Sequence, residues 1–180
     1  MIGFRNLAVA TGLAAAMVLA PSLARAETTL KDATDAVARL KKVEPGLKRF
    51  FEKSAGYAVF PDVAKGGLIV GGAGGAGYVF EKGKAVGKTG LSQATIGAQI
   101  GGQAYIEIIF FENAEALAAF KKGEWAMAAQ VSAVAVKAGA AKNASYEHGV
   151  AVFTLIKGGA MAEASVGGQK FSYEPLGAKK

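Results

Sequence analysis

The spacing of glycine in the middle of the chain constrains the fold more than any other feature of the sequence. Thirteen of the 25 glycines lie between Gly66 and Gly102, where they interrupt short apolar runs. A glycine inside a helix costs about 1 kcal/mol relative to alanine, whereas sheet bends, bulges and close backbone approaches favour it. We therefore predict an antiparallel, barrel-like β-sheet, with strands in the apolar runs at 57–60, 68–70, 78–80 and 104–111.

Turn residues and charge divide this region further. Lysine and glycine clusters at 65–67 and 82–84 predict turns between strands. Residues 89–106 carry no charge, but their four glycines favour two strands joined near 97 or 101–102 over a membrane helix. The strand at 104–111 is apolar on both faces, which is typical of a central strand.

Two helices are predicted before the sheet. Thr29 and Asp32 form a capping box. The residues after it recur with helical spacing on an apolar face: Leu30, Ala33, Val37 and Leu40. The opposite face is charged, with Asp35 and Arg39 spaced to pair: Lys31, Asp35, Arg39 and Lys42. Pro45 ends this helix near residue 43, and a shorter helix is predicted over 47–54.

The second half of the chain mixes helix and strand. Asn113 as a cap, lysines in the last turn and Gly123 as a stop predict one further helix, near 113–122. Residues 125–138 are interpreted as a strand because valine recurs in them, although their alanine content also permits a helix. The remaining predictions are a loop at 142–144, a hairpin from 150–156 and 159–166, and a last strand at 170–174.

The first 26 residues are predicted to be a secretory signal peptide. Arg5 makes the start basic, residues 7–20 are apolar, and 24–26 form a small-x-small cleavage site before Glu27. The apolar run of 14 residues is shorter than the ~20 that span a bilayer. We therefore expect a periplasmic or secreted protein with a single domain at 27–174 and a polar tail at 175–180.

The predicted mature chain is basic, since 19 basic residues remain against 14 acidic ones, a net charge of +5. Such a charge favours anionic partners such as phospholipid headgroups, although it also keeps a protein soluble without any partner. Basic and aromatic residues concentrate in the two leading helices, and we predict that they bind lipid: Lys31, Arg39, Lys42, Lys48, Arg49, Lys53, Phe50 and Phe51. The alternative is that the apolar stripe of these helices covers an open end of the sheet.

No constellation of residues predicts catalysis. Residues 72–77 satisfy G-x-G-x-x-G, but a strand follows them where a dinucleotide site needs a helix. His148 is the only histidine and is expected to be a solvated turn residue; with no cysteine in the chain, neither a metal site nor a cofactor is predicted. Glu107 and Glu163 lie in predicted strands and could pair, but each is expected to point out of the sheet or toward a lysine.

The sequence resembles the SYLF domain family over about residues 30–174. The matching segments follow the family's order: KSAGYAVFP at 53–61, the run from Lys65 to Gly77, GAQIGGQ at 97–103, AFKKG at 119–123, and VFT at 152–154 continuing to 167–168. The resemblance implies binding of phosphoinositides or other anionic phospholipids, aided in eukaryotic members by a basic amphipathic amino-terminal helix that residues 30–42 resemble. Many members have arginine where this chain has Gly74, which would remove one phosphate contact.

The expected function is non-enzymatic, peripheral binding of anionic phospholipid at the bacterial envelope by an α+β domain. Bacterial envelopes usually lack phosphoinositides, so phosphatidylglycerol, cardiolipin or similar lipids are the expected ligands. The alternative is a structural or interaction protein that binds an envelope protein or associates with itself. Nucleic acid is not an expected partner, because the chain has only four arginines. An integral outer-membrane barrel would need aromatic girdles, and the chain has one tryptophan.

Overall fold

A computed structural model describes residues 27–67, 70–96, 102–123, 131–158 and 168–177. The described residues form α-helices, β-strands and two short 3₁₀ helices, at Pro45–Leu47 and Ala140–Asn143. The α-helices are α1 (Leu30–Val43), α2 (Lys48–Lys53) and α3 (Ala114–Lys121). The strands are β1 (Gly56–Gly67), β2 (Val70–Glu81), β3 (Lys84–Ile96), β4 (Gln103–Phe111), β5 (Ala133–Ala135), β6 (Val150–Gly158) and β7 (Lys170–Pro175).

Helix α1 begins at the capping box that the sequence predicts. Asp32 N donates to the Thr29 hydroxyl at 3.2 Å, and Thr29 N donates to the Asp32 carboxylate at 2.8 Å. The side of the helix that faces the sheet is buried at Ala33, Ala36 and Leu40. The predicted apolar stripe is therefore confirmed, except that Leu30 at its start is 42% exposed.

The sheet is mixed and open, in the order β5-β6-β4-β1-β2-β3-β7. Neighbouring strands run antiparallel except β5 and β6, which run parallel. The α+β class is confirmed, but the sheet does not have the predicted barrel-like closure. Closure would require β7 to pair with β5, and β5 is a three-residue strand at the far edge.

Strand β4 is central, as its sequence predicts. It lies between β1 and β6, and every residue from Tyr105 to Phe111 is buried. Tyr105, Ile109 and Phe111 belong to one apolar layer, and Ile106, Ile108 and Phe110 belong to the other. Because side chains alternate between the two sides of a strand, β4 contributes to both apolar layers.

Helices cover both faces of the sheet. Helices α1 and α2 pack on the face that carries Phe110, which we call the α1 face. Helix α3 packs on the other face, the α3 face, through Leu117 and Phe120. Asn113 caps α3 by accepting a hydrogen bond from Ala116 N at 2.9 Å, so the predicted helix and its cap are confirmed.

The predicted turn at 65–67 is wrong, because these residues continue β1 and pair with 71–73 of β2. Gly66 lies opposite Gly72 in this pairing, so hydrogen bonds between the two strands keep both glycine-rich segments extended. The register of β1 against β4 shifts between Phe60 and Val63, next to Pro61, which is where a proline fits a sheet. The predicted turn at 82–84 is confirmed, with left-handed φ angles of 48° at Lys82 and 77° at Gly83.

Other predictions are altered or fall outside the described residues. The strand predicted over 125–138 is confirmed only for Ala133–Ala135 within the described part of that segment, and the loop predicted at 142–144 overlaps the second 3₁₀ helix. The signal peptide at 1–26, the junction at 97–101 and the strand at 159–166, with Glu163, lie outside the described residues. Within the described ranges, no helix has the length and apolarity needed to cross a membrane.

Candidate functional site

The basic residues predicted to bind lipid are all exposed on α1 and α2: Lys31, Arg39, Lys42, Lys48, Arg49 and Lys53. Three of them lie on α1, where the helical period places Lys31 and Lys42 opposite the buried stripe and Arg39 at its edge. The predicted amphipathic character of the leading helices is therefore present in the structure.

Two of these lysines form exposed pairs along their own helix. Lys31 Nζ lies 2.5 Å from Asp35 Oδ2, and Lys48 Nζ lies 3.6 Å from Glu52 Oε1. The expected pair of Asp35 with Arg39 is replaced by the pair with Lys31, which is the same number of residues away on the other side. Exposed pairs of this kind contribute little to stability, so both lysines remain available to an external anion.

Phe50 and Phe51 point into the fold. Phe50 is 3% exposed, and its ring lies 5.4 Å from that of Phe110 and 4.9 Å from that of Phe153. Phe51 is half-buried and meets Phe110 edge to face at 4.8 Å. Both rings therefore anchor α2 on the α1 face, whereas the alternative interpretation placed the leading helices over an open end of the sheet. Contact of these rings with lipid stays a prediction.

Cations stack on the outer sides of these rings. Lys41 Nζ lies 4.2 Å from the centre of the Phe51 ring, and the Arg49 guanidinium lies 4.7 Å from that of Phe50. Arg49 Nη2 also donates to the carbonyl oxygens of Ala141, at 2.6 Å, and Ala144. Arg49 is thus held in place as well as exposed, and no local pattern of residues predicts these contacts with residues more than 90 positions away.

The segment from Arg39 to Lys53 is strongly cationic. It contains six basic residues and two acidic ones. One of the acidic residues, Glu44, is 3% exposed, and its carboxylate accepts hydrogen bonds from the backbone N–H groups of Gly46 (2.8 Å) and Ala141 (3.4 Å). Because that carboxylate is turned inward, Glu52 is the one acidic side chain of the segment left at its surface.

A cavity of about 400 Å³ adjoins this surface, between α2 and residues 144–146. It is lined by residues from three separate parts of the chain: Arg49, Phe50, Lys53, Glu112, Ala144, Ser145 and Tyr146. The sequence analysis singled out Arg49, Phe50 and Lys53, but nothing in the spacing of the others indicated that they join them.

A buried polar group lies on the α3 face of β4. Glu107 is 0% exposed, and Gln169 Nε2 donates to its Oε2 at 2.9 Å. Burial raises the pKa of the Glu107 carboxyl to about 8, against a smaller lowering by the Gln169 hydrogen bond. The expectation that Glu107 points out of the sheet or toward a lysine is wrong, because every side of central strand β4 is covered.

The other candidate residues have structural roles. His148 is exposed in a turn with a φ of 52°, as predicted. Residues 72–77 lie within β2, so the glycine motif is part of the sheet. The described ranges contain no group of three or more histidine, aspartate or glutamate side chains placed to hold a metal ion.

Comparison with known proteins identifies similar sequences. Residues 92–175 match the sequence model of a family described as Ysc84, Las17-binding protein actin regulator. The beta cell expansion factor A of Aeromonas veronii is 32% identical over 145 residues, which make up 77% of this chain and 53% of that protein. The chain therefore spans about half the length of the curated relative that it matches.

Proposed function

The chain belongs to the SYLF (Ysc84) family, and from this membership and its cationic surface we propose that it binds anionic phospholipids at the bacterial envelope without catalysing a reaction. The single observation that carries the proposal is the segment from Arg39 to Lys53, whose six basic residues are all exposed while Glu44 is turned inward. The match to the family model begins at residue 92, so the role given to α1 and α2 depends on this physical argument.

The proposed attachment is electrostatic. Each basic residue held near an anionic membrane contributes about 1 kcal/mol. Several such residues on one surface are therefore enough for reversible docking, and salt is expected to weaken it. The apolar stripe of α1 already packs on the sheet, so docking through charge needs no change in the fold.

Vesicle co-sedimentation tests the proposal. The chain beginning at Glu27 contains all of the described fold, and we expect it to sediment with phosphatidylglycerol or cardiolipin vesicles at low salt but not with phosphatidylcholine vesicles. The double variant Arg39→Glu, Lys42→Glu should weaken that binding roughly tenfold or more. The control Lys84→Glu, Lys170→Glu makes the same charge change at exposed sites on β3 and β7. Equal sedimentation with anionic and neutral vesicles would refute the proposal.

A protein partner is the second candidate function. The family description, Las17-binding protein actin regulator, names a protein-binding role for relatives of this chain. We propose as the alternative that the chain binds an envelope protein or a second copy of itself. Binding of a protein partner that survives the Arg39 and Lys42 charge reversal would favour this alternative over lipid.

The proposed location is the periplasm or the exterior of the cell. It follows from the predicted signal peptide at 1–26, with cleavage after Ala26. Mass spectrometry of the protein recovered from a periplasmic extract should find Glu27 at the amino terminus. Recovery with residues 1–26 intact would contradict this.

A further inference from the structure

The cavity between α2 and residues 144–146 contains side chains that docking through surface charge does not need. Its volume of about 400 Å³ lies in the range of small-molecule sites. It is lined by two cationic residues, one acidic residue, one serine and two aromatic residues. A docking surface for anionic lipid needs only the cations.

The walls of the cavity are held by the rest of the fold. Arg49 Nη2 donates to the carbonyl oxygens of Ala141 and Ala144, which ties α2 to the opposite wall. The rings of Phe50 and Tyr146 meet edge to face at 5.4 Å. A ligand would therefore enter a site whose aromatic floor and one cation are already in place, and it would lose little affinity to ordering them.

The Tyr146 hydroxyl is influenced by charges of opposite sign on the cavity wall. It is buried and has no hydrogen-bond partner in the described ranges. The pKa of the Tyr146 phenol is raised by burial and by the Glu112 carboxylate, and lowered by Arg49, so both charges act on the same hydroxyl. Because the hydroxyl oxygen is sealed from solvent, it is not one of the groups that a ligand in the cavity can touch.

The charges are not neutralised within the protein. Across the described ranges, no ion pair involves Arg49, Lys53 or Glu112. A bare phosphate would be attracted by the two cations but repelled by Glu112. A ligand that carries a phosphate and an ammonium group would satisfy both signs.

We propose that this cavity binds a phosphoethanolamine group. The phosphate faces Arg49 and Lys53, and the primary ammonium donates hydrogen bonds to Glu112. A choline group is disfavoured, because its quaternary nitrogen has no N–H to donate to the carboxylate. The inference goes beyond the proposed function, since it gives the protein a preference for a zwitterionic group that surface charge alone would not produce.

Soluble ligands test the cavity apart from any membrane. In isothermal titration of the chain beginning at Glu27, glycerophosphoethanolamine should bind saturably and more tightly than glycerophosphocholine. Lys53→Gln removes one of the two cations and leaves the Arg49 hydrogen bonds in place, so it should weaken glycerophosphoethanolamine binding about tenfold. Glu112→Gln should weaken glycerophosphoethanolamine binding about tenfold and strengthen binding of glycerol 3-phosphate. Glu115→Gln removes an exposed carboxylate outside the cavity and should change neither.

Three results would overturn the proposal. They are the absence of saturable glycerophosphoethanolamine binding, unchanged binding in Lys53→Gln, and a Glu112→Gln variant that binds both ligands more tightly, as a general charge effect would make it do. Vesicles then identify the source of the group. Stronger sedimentation with vesicles that contain phosphatidylethanolamine than with vesicles that contain phosphatidylcholine, at constant phosphatidylglycerol content, assigns the phosphoethanolamine group to a membrane lipid. Binding of the soluble ligand alone assigns the group to a free phosphoester.

The proposal of lipid docking and the proposal of a phosphoethanolamine site can be refuted independently of each other. Arg39 and Lys42 do not line the cavity, so their reversal should reduce sedimentation with anionic vesicles and leave glycerophosphoethanolamine binding unchanged. Loss of soluble-ligand binding in that variant would contradict the cavity as an independent site.

Discussion

Glutamine in place of Glu107 is expected to remove a fall in stability that the parent chain undergoes as the pH rises from about 4.5 to about 8. Glu107 is fully buried in β4, where its Oε2 accepts a hydrogen bond from Gln169 and its Oε1 has no partner in the described ranges. Burial penalises the charged form, which raises the carboxyl pKa from 4.5 to about 8 in the folded chain.

The sign follows from proton release on unfolding. Between the two pKa values the folded chain keeps the Glu107 proton and the unfolded chain loses it, so rising pH favours the unfolded state. The stability that the protonated carboxyl provides is complete below pH 4.5, declines through this window and changes no further above about pH 8. At about 1.4 kcal/mol per pKa unit, the total change in the free energy of unfolding is about 5 kcal/mol.

Urea unfolding followed by circular dichroism at several pH values between 4.5 and 9 measures this change. Other groups titrate in the same range, so the readout is the difference in pH slope between the parent and Glu107→Gln. The control Glu174→Gln removes an exposed carboxylate on β7 and should keep the parent's slope. If the Glu107→Gln variant shows the parent's slope, the buried carboxyl does not retain its proton and the reasoning is refuted.

Three further substitutions test the packing and the caps, each by thermal or urea unfolding. Gly77→Ala would place a Cβ 2.2 Å from a backbone carbonyl oxygen of β1 and is expected to cost about 1–3 kcal/mol, whereas Gly74→Ala on the same strand meets nothing nearer than 3.6 Å. Asn113→Ala removes the cap of α3 and should cost about 1 kcal/mol. Phe50→Ala empties a buried aromatic site on the α1 face and should cost about 3–5 kcal/mol.

Each of these has a contrary outcome. Equal stability of the two glycine variants would mean that β1 and β2 do not approach closely at Gly77. An Asn113→Ala variant as stable as the parent would show that water replaces the cap without loss. A Phe50→Ala variant of parental stability would mean that this ring is not part of the core, and would revive its predicted role at a lipid surface.

Local signals in the sequence predicted many of the elements. The capping box at Thr29 and the cap at Asn113 act within one helical turn, and both helices begin where they predict. The two apolar faces of 104–111 placed β4 in the interior of the sheet, because only a central strand has both faces covered. The basic residues of α1 were correctly expected at the surface, since the helical period alone separates them from the buried stripe.

Predictions that depended on distant partners were less successful. Lys65 to Gly67 have the composition of a turn, but pairing with β2 holds them in a strand. Phe50 and Phe51 have the same sequence signal in a core helix as in a membrane-binding one, and their contact with Phe110 is visible only in the tertiary structure. Glu107 was misplaced for the same reason, because its partner Gln169 lies 62 residues away.

The sequence by itself determined the class of the fold, the cationic face of its leading helices and the family to which it belongs, because these depend on neighbouring residues and on the order of motifs. Only the tertiary structure decided that the sheet stays open, that the aromatic rings of α2 point inward, and that Arg49, Glu112 and Tyr146 line one cavity. Those outcomes are set by contacts between residues far apart in the chain, whose geometry no local spacing encodes.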